Sequence, residues 1–254
     1  MFEEPFRWME AISTRHSYVQ EKLQKGQPVI AVPYDEGALL LGFSPQPGKI
    51  FEVYDRIALG GLGHPADVEK LRMTLLEMAH LEGFNRSDQD VTIARLLQFG
   101  IAPSLKQNFE EVMRAPYLIQ LLLVEIDFDD QPHFYRLNYD GYWETFQNGA
   151  VVAGDVKMRD AITREIDQQS FATYSLDKAL EEVCKIWEQA RNSSISEDAE
   201  EENETEDIPS TLKEAFEKWY LEGAVLSKTV QRKSLYRPLS FGEIEKLKST
   251  LVKS

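Results

Sequence analysis

Strand-like segments occur in this chain in consecutive blocks, and helix-like segments separate the blocks. Short apolar runs at 29–32 and 38–43 flank the turn "PYDEG", and the stretch 49–63 contains two more such runs. Consecutive strands pair antiparallel across a short turn, whereas parallel neighbours need a long crossover. The order therefore predicts an α+β fold, a four-layer αββα sandwich of two antiparallel sheets between helical layers, with an extra N-terminal helix. The continuous run "ALLL" at 38–41 predicts a strand that is covered on both faces.

Helical spacing of the apolar residues predicts paired helices between the strand blocks. The first pair covers about 65–82 and 88–111, and the second of these helices must bend or divide at Gly100 and Pro103. The remaining elements are strands at 117–128, 133–139 and 142–147, a second helix pair at about 155–169 and 175–191, and a last strand pair and helix within 210–254.

An amphipathic helix is predicted at 5–25, ahead of the first strand. Pro5 is tolerated in the first turn of a helix, and Gly26 is a typical stop. The apolar residues recur at steps of three and four, so their stripe must pack against another surface. The stripe comprises Phe6, Met9, Ile12, His16, Val19 and Leu23.

The chain is predicted to form one domain over 1–254, with the sandwich core at 27–191. Its 254 residues are 43% hydrophobic, which is sufficient for one sizeable core. The segment 196–207 differs in composition, since it holds eight acidic residues and no basic one. Dense like charge without apolar surface does not offset the entropy of ordering, so 192–209 is predicted to be a disordered loop, and no function is assigned to it.

Composition also excludes several functional classes. The net charge of −15 argues against a nucleic-acid partner, because nucleic-acid binders need a cationic surface. No apolar run approaches the roughly 20 residues that span a bilayer, and the N-terminus lacks the cationic start of a secretory signal. Together with the single Cys184, these features predict a cytoplasmic protein without a membrane partner. We expect neither a metal nor a cofactor, because no P-loop or dinucleotide fingerprint is present and no histidines are spaced as a ligand pair.

The stretch "KIFEVYDRIALGGLGHPADVEKLRMTLLEMAHLEGFNRSDQDVTIARLL", residues 49–97, resembles the α subunit of the proteasome core particle, most of all the bacterial type. The marks are a Lys-Ile opening, "YDRIA", a turn of small residues, a helix rich in acidic and aliphatic residues, and "DQDVT" before the next helix. "PYLIQLLLVEID" at 116–127, followed by a Phe-Tyr strand and "YDG", is also typical of that family. The resemblance covers about residues 5–192 and implies the sandwich of the N-terminal-nucleophile hydrolases.

The family contains catalytic β subunits and non-catalytic α subunits, and residues 26 and 27 distinguish them. A β subunit needs Gly-Thr at the start of the first strand, because cleavage frees a threonine whose hydroxyl is the nucleophile. This chain has Gly26-Gln27, and none of its 14 glycines precedes Thr, Ser or Cys. Phe43 stands near the expected catalytic carboxylate, and Lys49 matches the β-subunit lysine without its partners. The resemblance therefore implies no catalytic residue here, in a subunit of a threonine-type endopeptidase complex whose activity lies in β subunits.

The α-type resemblance also implies several partners. Seven copies would form a ring through the helix at 5–25, stack on a ring of β subunits and control the passage of unfolded protein substrates. The C-terminal tail of an ATPase or another activator would dock in a pocket formed by Lys49, Gly26 and Gly63, where a cation and free N–H groups meet a terminal carboxylate. The gate would consist of Met1, Phe2, Glu3, Glu4 and Pro5.

Plainer interpretations of the same residues stay open. The helical stripe at 5–25 could cap the chain's own core, Lys49 could be a solvated strand-edge lysine, and both glycines could serve turns. The Tyr-Asp-Arg element that shapes the gate of archaeal and eukaryotic α subunits occurs here only at 54–56. Alternative functions are a self-sufficient hydrolase on this fold with an unconventional nucleophile, and a stand-alone ring or adaptor protein.

Overall fold

The computed structural model of this protein describes residues 3–198, 208–229 and 232–252. Its strands are β1 (Val29–Tyr34), β2 (Gly37–Ser44), β3 (Ile50–Tyr54), β4 (Ile57–Gly63), β5 (Ile119–Ile126), β6 (Pro132–Asn138), β7 (Trp143–Phe146), β8 (Ala150–Val152), β9 (Tyr220–Ser227) and β10 (Tyr236–Pro238). Its α-helices are α1 (Glu3–Leu23), α2 (Pro65–Asn85), α3 (Ile93–Leu96), α4 (Ala102–Glu110), α5 (Val156–Asp167), α6 (Leu176–Asp198), α7 (Leu212–Lys218) and α8 (Phe241–Leu251).

The strands form two five-stranded sheets in which every pair is antiparallel. The order is β10-β9-β2-β1-β8 in the first sheet and β3-β4-β5-β6-β7 in the second. In the second sheet, neighbours in space are neighbours in sequence. In the first sheet, β9 returns from the C-terminal part of the chain to pair with β2, with Gly42 opposite Glu222.

The two sheets lie face to face between helical layers. On β1, Ile30 and Val32 pack with α5 and α6, whereas Val29 and Ala31 belong to the core shared with the second sheet. Adjacent glycines of β4 show the same alternation at close range. A Cβ on Gly60 would lie 2.7 Å from Val29 Cγ1 of the opposite sheet. A Cβ on Gly61 would lie 2.4 Å from a methyl of α2, so the central strands are covered on both faces and the predicted four-layer sandwich is confirmed.

Helix α1 packs on the sandwich through its C-terminal half. Val19 and Leu23 are buried in the core, whereas Trp8 and Met9 nearer the N-terminus are 48% and 61% exposed. Arg15 joins the helix to the segment that follows α4. Its guanidinium donates to the main-chain carbonyl oxygens of Asn108, Val112 and Arg114. The predicted stripe therefore packs on the chain's own core through Val19 and Leu23 and leaves Met9 exposed nearer the N-terminus.

The helix predicted at 88–111 is divided, as the sequence required. A short 3₁₀ turn and α3 come first, followed by a π-helical segment at Leu97–Ile101 and then α4. Pro103 lacks an N–H and cannot donate to the carbonyl four residues before it. The ladder shifts by one residue just ahead of this proline, where Ala102 N–H donates to Leu97 O, as in a π-bulge.

Two predictions near the acidic segment need correction. Helix α6 continues to Asp198, so residues 192–198 are helical and not part of a loop, because extending a formed helix adds one hydrogen bond for each residue fixed. Of the rest of the predicted loop, residues 199–207 lie outside the described residues, and residues 208 and 209 have no regular secondary structure. Helix α7 was not predicted, although Thr211 and Glu214 carry the Thr-x-x-Glu signature of a helix start. No helix among the described residues is both long and apolar enough to cross a bilayer.

Candidate functional site

A surface cavity of about 560 Å³, here called the Lys49 cavity, contains the three residues predicted for the docking pocket. It lies where the end of α1, the start of β1, the β2–β3 loop and the start of α2 meet. Trp219 and Ile208 also line it. Its lining residues include Lys25, Gly26, Gln27, Gly48, Lys49, Gly63, Val68, Leu118 and Trp219.

Lys49 is a cationic residue that lines the cavity next to a strand. It immediately precedes β3, is half-buried, and its ammonium Nζ donates to the main-chain carbonyl oxygen of Gln27 at 3.0 Å. Burial lowers the pKa of Lys49 to about 8, and the carboxylate of Glu222 opposes that shift. An ammonium carries three N–H donors, and among the described residues only the bond to Gln27 uses one. The group can therefore donate to an incoming acceptor.

Glu222 holds the backbone from which the Lys49 side chain extends. Its carboxylate accepts from the main-chain N–H groups of Gly48 and Lys49, each at 2.6 Å. Strand β9 brings Glu222 to this position by pairing with β2. No sequence pattern predicts a role for this residue, because position 222 is remote in sequence from Lys49 and lies in no motif.

The two glycines of the predicted pocket have structural requirements of their own. Gly63 has φ +126°, and a Cβ on it would lie 1.9 Å from the carbonyl oxygen of Leu118. Gly26 follows the end of α1 at Leu23, and a Cβ on it would lie 2.8 Å from both Leu23 O and the Leu62 side chain. The structure thus places Lys49, Gly26 and Gly63 in one cavity, and local packing alone is sufficient to require glycine at both positions.

Gln27 occupies the position at which a β subunit would carry its threonine. The residue is 8% exposed, and its side-chain Nε2 donates to Lys25 O at 3.1 Å. An amide is not a nucleophile. Phe43, near the position expected for the catalytic carboxylate, is buried against Trp187 and Phe216, with ring centroids 4.7 and 5.3 Å away. A lysine thus stands beside the start of β1 with neither a hydroxyl nor a thiol at position 27.

The gate residues are only partly within the described chain. Met1 and Phe2 lie outside the described residues. Glu3, Glu4 and Pro5 begin α1, so the helix starts two residues earlier than predicted.

A second cavity, of about 650 Å³, is larger and contains none of the residues predicted for the docking pocket. It is lined by His16, Tyr139, Gln120 and Asp155, among others. His16 Nδ1 and the Tyr139 hydroxyl are hydrogen-bonded at 3.1 Å, and Asp155 caps α5 by accepting from Lys157 N–H. Lys49, Gly26 and Gly63 lie together in the Lys49 cavity, and we therefore place the candidate site there.

Comparison with known proteins agrees with the fold and with the resemblance noted in the sequence. A family model described as "Proteasome subunit" matches residues 24–202. A proteasome subunit alpha of Streptomyces coelicolor is 27% identical over 241 residues, which are 94% of this chain and 86% of the relative. That of Thermomonospora curvata is 29% identical over 67% of this chain and 74% of the relative, and that of Streptosporangium roseum is 34% identical over 49% and 48%. The family match covers more than half of the chain, and this protein therefore belongs to the proteasome subunit family.

Proposed function

We propose that this chain is a non-catalytic α subunit of a bacterial-type proteasome core complex in the cytoplasm. Seven copies form an outer ring that stacks on a ring of catalytic β subunits, and the first residues of each copy restrict the central opening. An activator docks its C-terminal tail in the Lys49 cavity and thereby promotes the degradation of unfolded protein substrates. The observation that carries this proposal is the pairing of Lys49 with Gln27, a retained cation beside a position without a nucleophile.

The local chemistry supports a structural rather than a catalytic role. In the N-terminal-nucleophile mechanism, a free hydroxyl or thiol attacks the peptide carbonyl and the N-terminal amine acts as base. Position 27 carries an amide whose Nε2 is bound to Lys25 O, and Phe43 is part of the core. The residues that would perform the reaction therefore belong to a partner subunit.

The Lys49 cavity has the properties that a terminal carboxylate requires. Lys49 supplies a cation whose remaining donors can bind carboxylate oxygens, and such charge-assisted bonds are stronger than neutral ones. Gly26 and Gly63 have no side chains, so the main chain of a tail can approach the cavity wall closely at these two positions. Val68, Leu118 and Trp219 provide apolar contact for the side chains of the tail.

Helix α1 supplies the surface for ring contacts. Trp8, Met9 and Tyr18 are 48%, 61% and 44% exposed on this helix of the isolated chain. Large apolar side chains that are exposed in an isolated chain favour burial against another protein. In a closed ring, each copy would present this helix to its neighbour.

Two alternative functions remain as outcomes of experiments. A self-sufficient hydrolase on this fold would show peptidase activity with the purified chain alone. A stand-alone ring or adaptor protein would assemble without any β subunit and would not acquire activity on mixing. The hydrolase alternative lacks a hydroxyl or thiol at position 27, where the side chain is an amide whose Nε2 donates to Lys25 O.

The decisive experiment is the native mass of the purified chain, alone and mixed with candidate β subunits. We expect a species of about seven copies, or a larger particle that gains peptidase activity only on mixing. A monomer that stays monomeric with every β candidate would contradict the proposal and reduce the relationship to one of fold. Peptidase activity of the chain alone would favour the hydrolase.

A further inference from the structure

A further cavity, of about 470 Å³, adjoins the Lys49 cavity and is here called the Lys70 cavity. His64 and Leu118 line both cavities, so the two meet at the start of α2. On α1, Lys22 lines the Lys49 cavity, and Tyr18, one helical turn before it, lines the Lys70 cavity. The two cavities therefore form one groove between α1 and the start of α2.

This groove is cationic, although the chain as a whole carries a net charge of −15. The Lys49 cavity is lined by Lys22, Lys25 and Lys49, and no carboxylate is among its described lining residues. The Lys70 cavity adds Lys70 and Arg114. A cleft lined by one sign of charge concentrates ligands of the opposite sign. The groove is therefore complementary to an acidic peptide segment.

The Lys70 cavity has an excess of positive charge at its own walls. Asp67 is the one carboxylate among the residues that the structure describes as lining it, and its Oδ2 accepts from the main-chain N–H of Leu118 at 3.0 Å. This carboxylate therefore holds the segment ahead of β5. Two cations, Lys70 and Arg114, face that single anion, and both residues are exposed, so a ligand in the cavity can reach them.

Lys70 and Arg114 are also close enough to repel each other. Contact with the Tyr117 side chain raises the pKa of Lys70, and the positive charge of Arg114 opposes that rise. Arg114 lies 3.3 Å from the carboxylate of Glu111, but a guanidinium carries five N–H donors and one ion pair does not use them all. A second carboxylate that contacts both cations would relieve their repulsion through charge-assisted hydrogen bonds.

We propose that the Lys70 cavity binds an acidic side chain of the docked tail, a few residues before its C-terminal residue, through Lys70 and Arg114. The groove then selects an activator by the position of an acidic residue in its tail as well as by its terminus. This inference rests on the proposed docking function and adds to it a specificity subsite outside the Lys49 cavity. An extended peptide advances about 3.3 Å per residue, so one tail can occupy two adjoining cavities.

The test measures the binding of a peptide series to the assembled ring. The parent peptide is acetyl-Gly-Ser-Gly-Ser-Gly-Ser-Val-Leu with a free carboxylate, and in the series either Glu or Gln replaces each Gly or Ser in turn. Glu and Gln have nearly the same shape, so each pair of peptides isolates the effect of one negative charge at one position.

The proteins are the unmodified chain, the double variant Lys70→Gln with Arg114→Gln, Lys49→Ala, and a matched control. The control, Arg86→Gln with Lys185→Gln, also loses one arginine and one lysine charge. Both of its residues are exposed, and each forms an ion pair with a glutamate outside the groove. The native mass of each protein verifies that the ring is intact.

We expect Glu to bind about three- to tenfold more tightly than Gln at one position of the tail, the effect of one carboxylate on two exposed cations. The preference should persist in the control and disappear in Lys70→Gln with Arg114→Gln. It should also decrease as the ionic strength rises, because exposed charges are screened by salt. At the other positions Glu should bind no better than Gln, since the chain as a whole is acidic.

Three results would overturn the subsite. A preference for Glu that is equal at every position, or equal in the double variant and the control, would show general attraction in place of a subsite. Loss of the ring in Lys70→Gln with Arg114→Gln alone would assign this cavity to a neighbouring copy of the chain. In each case, binding of the parent peptide that depends on Lys49 would leave docking intact. Binding of no peptide to the unmodified ring would contradict docking itself, and the subsite with it.

Discussion

The ammonium of Lys49 donates to the main-chain carbonyl oxygen of Gln27 over 3.0 Å, across the junction of β1 and β3. The bond joins the end of the lysine side chain to the backbone just ahead of β1. Glu222 holds the same lysine from the other side through the N–H groups of Gly48 and Lys49. A cation that is held at both its backbone and its side-chain end is preorganised to bind an anion.

Replacing Lys49 by alanine should abolish stimulation by an activator and leave ring assembly intact. The substitution removes a charge-assisted bond to the tail, and we expect tail affinity to fall by about 10- to 100-fold. The measurement compares stimulated degradation of an unfolded substrate by particles carrying Lys49→Ala or Lys185→Ala. Lys185 is an exposed lysine of α6 that pairs with Glu182, so its variant controls for loss of a positive charge elsewhere. Unchanged stimulation in Lys49→Ala would remove this residue from the docking role.

Tail binding should weaken as the pH rises through about 8. Burial lowers the pKa of Lys49 in the folded, unoccupied cavity to about 8, so the ammonium loses its proton above that pH. Affinity should be constant from about pH 6.5 to 7.5 and then decrease by up to tenfold for each further pH unit. Lys49→Arg keeps its charge throughout this range, and its binding should be independent of pH. A pH profile shared by both proteins would assign the titration to another group.

The lowered pKa of Lys49 also affects the stability of the fold, which should rise with pH where tail binding falls. Because the folded pKa lies below the unfolded value of 10.5, the unfolded chain binds more protons between about pH 8 and pH 10.5. The contribution of Lys49 to the free energy of unfolding therefore increases with pH across that window. Binding and stability thus respond to pH in opposite directions, which separates loss of docking from loss of fold.

Replacing Gly63 by alanine should destabilise the fold by more than about 2 kcal/mol. The new Cβ would lie 1.9 Å from Leu118 O, on a backbone with φ +126° that L residues rarely adopt. Gly242→Ala is the matched control, because nothing lies within 4 Å of that Cβ and the residue is in α8. Alanine there should stabilise by about 0.5–1 kcal/mol. Urea denaturation of the two variants measures both effects, and equal stabilities would contradict the close approach at Gly63.

Replacing Trp8 and Met9 together by serine should prevent ring formation without unfolding the subunit. Both side chains are exposed in the isolated chain, so their loss removes little of its own core. Each substitution would remove about 1–2 kcal/mol of apolar burial from every contact between neighbouring subunits in the ring. Phe241→Ser is the control, since Phe241 is 78% exposed on α8, remote in sequence from α1. Native mass and circular dichroism measure assembly and fold, and an intact ring in the double variant would remove this half of α1 from the contact.

Local sequence was sufficient to predict most elements of the fold. The block order of the strands predicted two antiparallel sheets, and the run "ALLL" in β2 predicted burial on both faces, which the structure has. Pro103 predicted the division of the helix near residue 100. These features follow from periodicity and from the missing N–H of proline, which act within a few residues. The predicted end of α6 at residue 191 was wrong, because the helix continues into the acidic segment as far as Asp198.

The candidate site was only partly contained in local sequence. The resemblance nominated Lys49, Gly26 and Gly63, and their meeting in one cavity depends on the packing of α1, β3 and β4. Glu222 reaches the backbone of Lys49 through a strand pairing between distant segments. The Gln27 side chain donates through Nε2 to Lys25 O, and its Oε1 has no partner among the described residues. Short-range patterns determine which residues become helix or strand. Hydrogen bonds between residues far apart in the chain depend on which surfaces meet, and so they are known only once the sheets and helices are packed.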